Sequence, residues 1–147
     1  MRLTRNFQLD EFLRSQTASR HGIDMTPPDF VIENLRQLTF HFLQPLRDIT
    51  GSVLIITSGY RPAALNALIG GSEKSQHMEG KASDFRIVDM TPLEVCEIAV
   101  ENELPFDQLI HEFQSWVHAS YNADRNRFAK LTAKLINGGP QYTHGFS

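Results

Sequence analysis

The sequence has little of what several common protein classes need. It contains a single cysteine, Cys96, so no disulfide can form within the chain. Acidic residues outnumber basic ones and the formal net charge is −3, which argues against a nucleic-acid-binding protein, because affinity for phosphate relies on basic side chains. No apolar run has the length of a membrane span or of a secretion signal. We therefore expect synthesis in the cytoplasm without an export signal, no membrane association and no nucleic-acid partner.

Length and composition favour one folded domain over residues 1–147. Hydrophobic residues make up 41% of the chain and charged residues 21%, which is typical of a globular protein with a buried core. Neither repeats nor a linker divides the sequence. The glycine-rich tail, 138–147, is expected to be loosely ordered.

Helical periodicity and capping residues mark several segments of the chain. They predict helices over residues 7–20, 26–48, 63–69, 91–103 and 124–138. The second of these is expected to bend at Pro45, because proline has no backbone N–H. The last is expected to stop at Gly138.

Short apolar or β-branched runs predict the strands. They lie at 53–57, 82–88, 106–113 and 115–121, and the last two are joined by a tight connection. Helices and strands do not alternate strictly along the chain, so we predict an α+β fold. Its small, mainly antiparallel sheet would carry the functional site and pack against several helices.

The segment SQHMEGKASDF, residues 75–85, combines a histidine and an aspartate with small residues. Its spacing fits a loop that carries His77 and enters a strand that carries Asp84, with Gly80 allowing a sharp turn between them. Imidazole nitrogen and carboxylate oxygen are both good zinc ligands, and a catalytic zinc ion usually has three protein ligands. These two residues are therefore candidate ligands, and a third is required.

The third ligand is sought among the remaining histidines. His118 is favoured, because on a strand it shares a face with Trp116, whose bulk would fix the imidazole rotamer. His111 is the alternative, but its neighbours are apolar, and on a strand its side chain would point to the opposite face from that of Glu112. A histidine and an aspartate at this spacing also occur by chance, as a loop histidine and a strand-capping aspartate.

Three blocks in a fixed order carry a family resemblance. They are SGYRPAALN (58–66), GGSEKSQHMEGKASDF (70–85) and FDQLIHEFQSWVHASY (106–121). Over residues 3–122 the chain resembles the zinc D-alanyl-D-alanine carboxypeptidase family, whose metal site is shared with lysostaphin-type peptidases and the hedgehog domain. The small, endolysin-like members from phages and prophages are the most similar. The pattern S-x-H-x-x-G-x-A-x-D is matched at Ser75, His77, Gly80, Ala82 and Asp84.

The resemblance implies roles for individual residues. One zinc ion per chain would be bound by His77, Asp84 and His118. Arg61 would contact the substrate near the metal, as both a catalytic and a substrate-binding residue. Ser75 and Gln76 would line the substrate groove, and Asn66 would hold the loop that carries them.

The general base needs separate consideration. Many members have an acidic residue three positions before the last histidine, where this chain has Ser115, which cannot take a proton from water at neutral pH. Glu112 stands six positions before His118, which resembles the hedgehog-type and small phage sites. If 113–115 form a three-residue hairpin loop, Glu112 pairs with Trp116 and lies about 7–8 Å diagonally from His118. Glu112 is therefore the candidate base, and the alternative is a solvated strand residue.

The function implied is a zinc metallopeptidase that hydrolyses stem peptides of bacterial peptidoglycan with metal-activated water. The bond remains open between D-Ala-D-Ala carboxypeptidase, cross-bridge endopeptidase and L-Ala-D-Glu endopeptidase activity. Such an endolysin-like enzyme would act on the cell wall after release, in a phage or prophage context. The alternatives are a zinc-containing module that binds wall peptides or a protein without cleaving, and a phage structural component. No oligomeric state is implied.

Overall fold

The computed structural model describes residues 1–147 and has an α+β fold, which confirms the predicted fold class. Two short strands, β1 (Arg2–Thr4) and β2 (Phe7–Gln8), form a small antiparallel sheet. The larger sheet consists of β3 (Leu54–Ser58), β4 (Ala82–Ile87), β5 (Gln108–Glu112), β6 (Trp116–Ser120), β7 (Ala129–Ile136) and β8 (Gly139–His144). Its spatial order is β3-β4-β6-β5-β7-β8. Every neighbouring pair is antiparallel except β5 and β7, so the sheet is mixed.

The helices are short and alternate irregularly with the strands along the chain. They are α1 (Gln16–Arg20), α2 (Asp29–Leu38), α3 (Gln44–Thr50), α4 (Ala63–Leu68) and α5 (Pro92–Glu101). Single turns of 3-10 helix occupy Leu9–Phe12 and Gln76–Glu79. The predictions for α4 and α5 are confirmed, including the cap, because the Thr91 hydroxyl accepts a hydrogen bond from the Glu94 N–H at 3.1 Å. No helix has the length and apolar character that crossing a membrane requires.

The helix predicted over 7–20 is broken into β2, a 3-10 turn and α1. Ser15 explains the break, because its side chain accepts a hydrogen bond from the Ala18 N–H and starts a new helix. The long helix predicted over 26–48 runs from α2 to α3, joined by the π-helical turn Thr39–Leu43. The sequence predicts a bend at Pro45, and the irregularity lies just before that residue, where the wider hydrogen bonding of the π-helical turn makes room for a ring without an N–H.

Two predictions for the C-terminal segment are wrong. Residues 124–138 do not form a helix and the tail 138–147 is not loosely ordered, because β7 and β8 form a hairpin that joins the sheet. The turn between them is Asn137-Gly138, where both residues have positive φ, 52° and 80°. Asn-Gly is a strong hairpin signal, but the apolar residues before it also recur at helical spacing, which favours a helix that stops at Gly138.

The core lies between the helices and one face of the larger sheet. Phe42, from the π-helical turn, packs against Phe85 on β4 and Phe106 before β5, with ring centroids 6.3 Å apart in both pairs. All three side chains are buried. Because Phe85 enters the core, its neighbour Asp84 faces the opposite side of the sheet. The packing of the helices on one face thus leaves the other face for a functional site.

Gly80 provides a test of this local architecture. It ends the 3-10 turn with φ at 73°, and a Cβ there would lie 2.7 Å from the Val31 carbonyl oxygen. We expect Gly80→Ala to lower the free energy of unfolding by about 2–5 kcal/mol, since left-handed backbone strain adds to overpacking. Gly138→Ala is the matched control, because φ there is 80° with open space around the new methyl group. Equal losses in urea unfolding of the two variants would contradict the close approach.

Candidate metal centre

Three side chains converge on the free face of the larger sheet. Asp84 lies on β4, and His118 is its cross-strand partner on β6. His77 lies in the 3-10 turn that leads into β4. The structure therefore brings together three residues that are distant in the chain and that the sequence nominates as metal ligands.

The spacing of the ligand atoms fits a single metal ion. One ligand atom from each of the three residues lies within 4.8 Å of the others. Asp84 Oδ1 is 3.4 Å from His77 Nε2 and 3.0 Å from His118 Nδ1. Ligand atoms about 2.1 Å from a tetrahedral zinc ion would be about 3.4 Å apart. None of the three side chains is more than 11% exposed, so water does not screen the site.

The orientation of His77 leaves a lone pair that only a cation or a proton can satisfy. Its Nδ1 lies 2.8 Å from the Gly59 carbonyl oxygen, which only accepts hydrogen bonds, so Nδ1 carries the proton. Nε2 is buried without a hydrogen-bond partner and faces the Asp84 carboxylate. Burial lowers the pKa of His77, which favours the neutral ring. A lone pair therefore faces a carboxylate oxygen, and a bound cation would stabilise both.

Asp84 is held in its ionised form. Burial acts to raise the pKa of Asp84, but the hydrogen bond from His118 and the proximity of His77 outweigh it and hold that pKa well below its usual range. The second oxygen, Oδ2, lies 3.2 Å from Arg61 Nη2, and Arg61 Nε donates to Ser58 Oγ at 3.2 Å. Arg61 thus orients the carboxylate as well as lying beside the site, a contact that the sequence does not reveal.

Glu112 is the acidic residue nearest to the three ligands. It pairs with Trp116 across a loop of residues 113–115, which confirms the predicted hairpin. Glu112 Oε1 is 3.7 Å from His118 Nδ1, while Oε2 accepts a hydrogen bond from Trp116 Nε1 at 3.1 Å. Burial raises the pKa of Glu112 and the charge of Asp84 adds to this effect. The indole therefore holds one oxygen and leaves the other directed at the site.

The other candidates lie elsewhere. His111 is buried on the core side of β5, and its Nδ1 lies 3.2 Å from the Ser147 carbonyl oxygen. It therefore lies on the opposite face of the sheet from His77, Asp84 and His118 and is not placed to be the third ligand. Ser115 is exposed in the hairpin loop, and its hydroxyl donates to the Phe113 carbonyl oxygen. Asn66 holds the loop before His77, since its Nδ2 donates to the Ser72 carbonyl oxygen at 2.8 Å.

An ion pair between a buried aspartate and a half-exposed arginine anchors the turn that carries His77. Asp107 is 3% exposed and accepts hydrogen bonds from the backbone N–H, Nε and Nη2 of Arg127, at 2.8–2.9 Å. Its Oδ2 also accepts a hydrogen bond from Gln76 Nε2 at 2.9 Å. The turn before β4 is therefore tied to the start of β5. Sequence reasoning missed this contact because the residues are far apart in the chain.

This ion pair predicts a pH effect on stability. Hydrogen bonds from Arg127 lower the pKa of Asp107 to about 2, from an ordinary 3.8. A lowered folded-state pKa means that the stabilisation is present above pH 3.8 and is lost as the pH falls toward 2. We expect Asp107→Asn to lower the free energy of unfolding at pH 7 by about 1–3 kcal/mol, a modest loss because Arg127 is 56% exposed and solvent screens the pair. The variant should also lose less stability than wild type as the pH falls from 4 to about 2.

Urea unfolding between pH 2 and pH 7 measures this effect. Asp10→Asn is the control, because Asp10 is an exposed aspartate on the 3-10 turn after β2. The free energy of unfolding of this control should fall between pH 4 and pH 2 as steeply as that of the wild type. An Asp107→Asn profile parallel to wild type would contradict the assignment.

A groove of about 740 Å³ runs over the site. His77, Asp84 and His118 line it together with Glu112. Its other polar walls include Arg61, Lys74, Ser75, Gln76 and Arg127, and its apolar lining includes Ile110, Leu131, Pro140 and Tyr142. The groove can therefore hold a ligand against the three converging side chains and beside a carboxylate.

A buried His-Asp-His set on an open sheet face, with a carboxylate beside it, has the ligand types and spacing that suit a catalytic metal ion. The family model described as Peptidase M15 matches residues 5–120, which is most of the chain. The chain therefore belongs to the peptidase M15 family. Peptidases of this family depend on a metal ion, and the His77, Asp84 and His118 group can bind one. A search of curated proteins found no match.

Proposed function

We propose that the protein is a zinc-dependent peptidase that cleaves stem peptides of bacterial peptidoglycan. The observation that carries the proposal is the convergence of His77 Nε2, Asp84 Oδ1 and His118 Nδ1, with Glu112 Oε1 at 3.7 Å from the last of these. Membership of the peptidase M15 family supports the reaction type. The resemblance of the motif blocks to D-alanyl-D-alanine carboxypeptidases and endolysin-like enzymes supports the substrate.

His77, Asp84 and His118 would hold the zinc ion. When bound, zinc supplies Lewis-acid chemistry, because it polarises a carbonyl oxygen and lowers the pKa of water. Glu112 would take a proton from the attacking water and return it to the leaving amine. Its hydrogen bond from Trp116 fixes the carboxylate for this transfer.

Arg61 would bind the substrate from the other side of the ligand set. Two of its nitrogens are engaged by Ser58 and Asp84, and its Nη1 group is left to donate to a substrate carboxylate or a developing oxyanion. Ser75 would line the groove as part of the turn, where its Oγ accepts from the His77 N–H. Gln76 Oε1 is buried without a partner, so it is suited to accept a peptide N–H.

The charge of the groove suits an acidic peptide. Arg61, Lys74 and Arg127 line it, and its two acidic side chains, Asp84 and Glu112, lie at the proposed reaction centre. Stem peptides carry free carboxylates, which Lys74 and the free Nη1 group of Arg61 would attract, whereas Arg127 is already paired with Asp107. This polarity favours a stem-peptide substrate over an apolar peptide. We further propose that the protein acts on the wall after release, in a phage or prophage context.

Digestion of a defined peptide tests the proposal. The zinc-loaded protein is incubated with the pentapeptide L-Ala-γ-D-Glu-L-Lys-D-Ala-D-Ala and with cross-linked wall fragments, and the products are weighed by mass spectrometry. Loss of one D-alanine would identify a carboxypeptidase, and a new internal amine terminus would identify an endopeptidase. Intact substrates would refute the peptidoglycan peptidase, and binding without cleavage would support the alternative of a wall-peptide-binding module.

A further inference from the structure

The β7–β8 hairpin forms part of the groove although it lies beyond residues 5–120, which the family model matches. Leu131 from β7 and Pro140 and Tyr142 from β8 line the groove. β7 pairs in parallel with β5, the strand that carries Glu112, and β8 pairs with β7. The C-terminal segment is therefore joined to the site by the sheet itself.

The register of the sheet aligns Tyr142 with Glu112. Glu112 pairs with Ala133, and Ala133 pairs with Tyr142, so the three lie in one row across β5, β7 and β8. Paired residues share a face of a sheet, so Tyr142 is on the face of the metal ligands. Ala133 lies between them, so no side chain larger than a methyl group separates the Glu112 carboxylate from the Tyr142 phenol.

A second row of paired residues links the candidate metal ligand His118 to the hairpin. His118 pairs with Ile110, and Ile110 pairs with Leu131. The floor of the groove thus becomes apolar from His118 toward the hairpin. On the opposite side, Lys74 and Arg61 make the wall cationic.

Tyr142 keeps a large exposed surface in this position. It is 54% exposed, and no hydrogen bond engages its hydroxyl group within the protein. An aromatic ring with a free hydroxyl offers apolar contact and a hydrogen-bond donor together, at small cost in side-chain entropy. Burial and the charges of Glu112 and Asp84 raise the pKa of Tyr142, so the hydroxyl remains protonated at neutral pH.

We propose that the β7–β8 hairpin is the specificity-determining wall of the groove and that Tyr142 contacts the substrate peptide beside Glu112. The inference rests on the proposed function and assigns a residue that the motif blocks do not include. The ring packs on an aliphatic part of the substrate, such as an alanine methyl group or the methylenes of the diamino acid. The hydroxyl donates to a substrate carbonyl oxygen.

Kinetics and binding of variants test the proposal. Tyr142→Ala should raise KM for the pentapeptide about tenfold with a smaller change in kcat, since it removes both an aromatic contact and a hydrogen bond. Tyr142→Phe should give an intermediate KM, because it removes the hydroxyl alone. Gln141→Ala and Thr143→Ala are matched controls, because these exposed neighbours on β8 point to the opposite face, and both should stay within about twofold of wild type.

A binding measurement separates this inference from the proposed function. Pentapeptide affinity is measured by Trp116 fluorescence in the zinc-loaded Glu112→Gln protein, with and without Tyr142→Ala. Weaker binding on loss of Tyr142 supports the inference even if wild type does not cleave, in which case the proposed function alone fails. Equal affinity and equal KM for Tyr142→Ala overturn the inference while wild-type cleavage sustains the function. Absence of binding both to the pentapeptide and to cross-linked wall fragments, with no cleavage of either, overturns both.

Discussion

Glu112→Gln is expected to lower kcat on a stem peptide by about 10²–10⁴-fold, which is the usual contribution of general acid–base catalysis. Glutamine keeps the size of the side chain but cannot take a proton from water. The hydrogen bond from Trp116 Nε1 can persist to the amide oxygen, so the hairpin should keep its form. We therefore expect zinc content and thermal stability to remain close to those of wild type. Steady-state kinetics with elemental analysis of the same sample measures both quantities.

Glu97→Gln is the matched control for this change. Glu97 is exposed on α5, away from the groove, so its variant should keep wild-type kcat. An unchanged kcat in Glu112→Gln would show that Glu112 does not act as the base and that another group moves the proton.

Asp84→Asn is expected to weaken zinc affinity by more than about 100-fold, beyond the loss typical of changes in outer-shell partners. The carboxylate would be the one anionic ligand, and it also contacts His77, His118 and Arg61. The asparagine amide carries no charge to attract the cation. If its NH₂ group faced the imidazoles, it would offer no lone pair to a metal ion. Peptidase activity should fall below detection at micromolar zinc. Competition with a fluorescent chelator gives the affinity.

Asp124→Asn serves as the control for charge removal, because Asp124 is exposed in the connection between β6 and β7. It should bind zinc as wild type does. Wild-type zinc affinity in Asp84→Asn would remove this carboxylate from the ligand set.

The sequence predicts the parts of the site whose geometry is set by local strand rules. Period-two alternation separates His118 from His111, and the structure places them on opposite faces of the sheet. The three-residue loop 113–115 sets the pairing of Glu112 with Trp116. Gly80 adopts the positive φ that a sharp turn requires. Each of these features depends on residues that are close in the chain, so spacing alone could indicate it.

Contacts between distant segments could not be predicted in this way. Asp107 accepts hydrogen bonds from the side chains of Gln76 and Arg127. Gln76 is 31 positions away in the chain, and sequence periodicity does not predict a side-chain hydrogen bond over that separation. Arg61 bonding to Asp84 is a contact of the same kind. The C-terminal hairpin was missed for a different reason. Its strand β7 fits both helical and strand periodicity, and tertiary pairing with β5 decides between them.

Zinc titration of the metal-free, full-length protein tests most directly whether His77, Asp84 and His118 share one ion. Calorimetry should show one zinc ion bound per chain in the wild type, and His77→Ala should lose that binding, because it removes a ligand fixed by Gly59. Thermal stability should rise with zinc in the wild type alone, since the ion binds only the folded site. Absence of stoichiometric binding in the wild type, or undiminished binding in His77→Ala, would contradict the shared metal site.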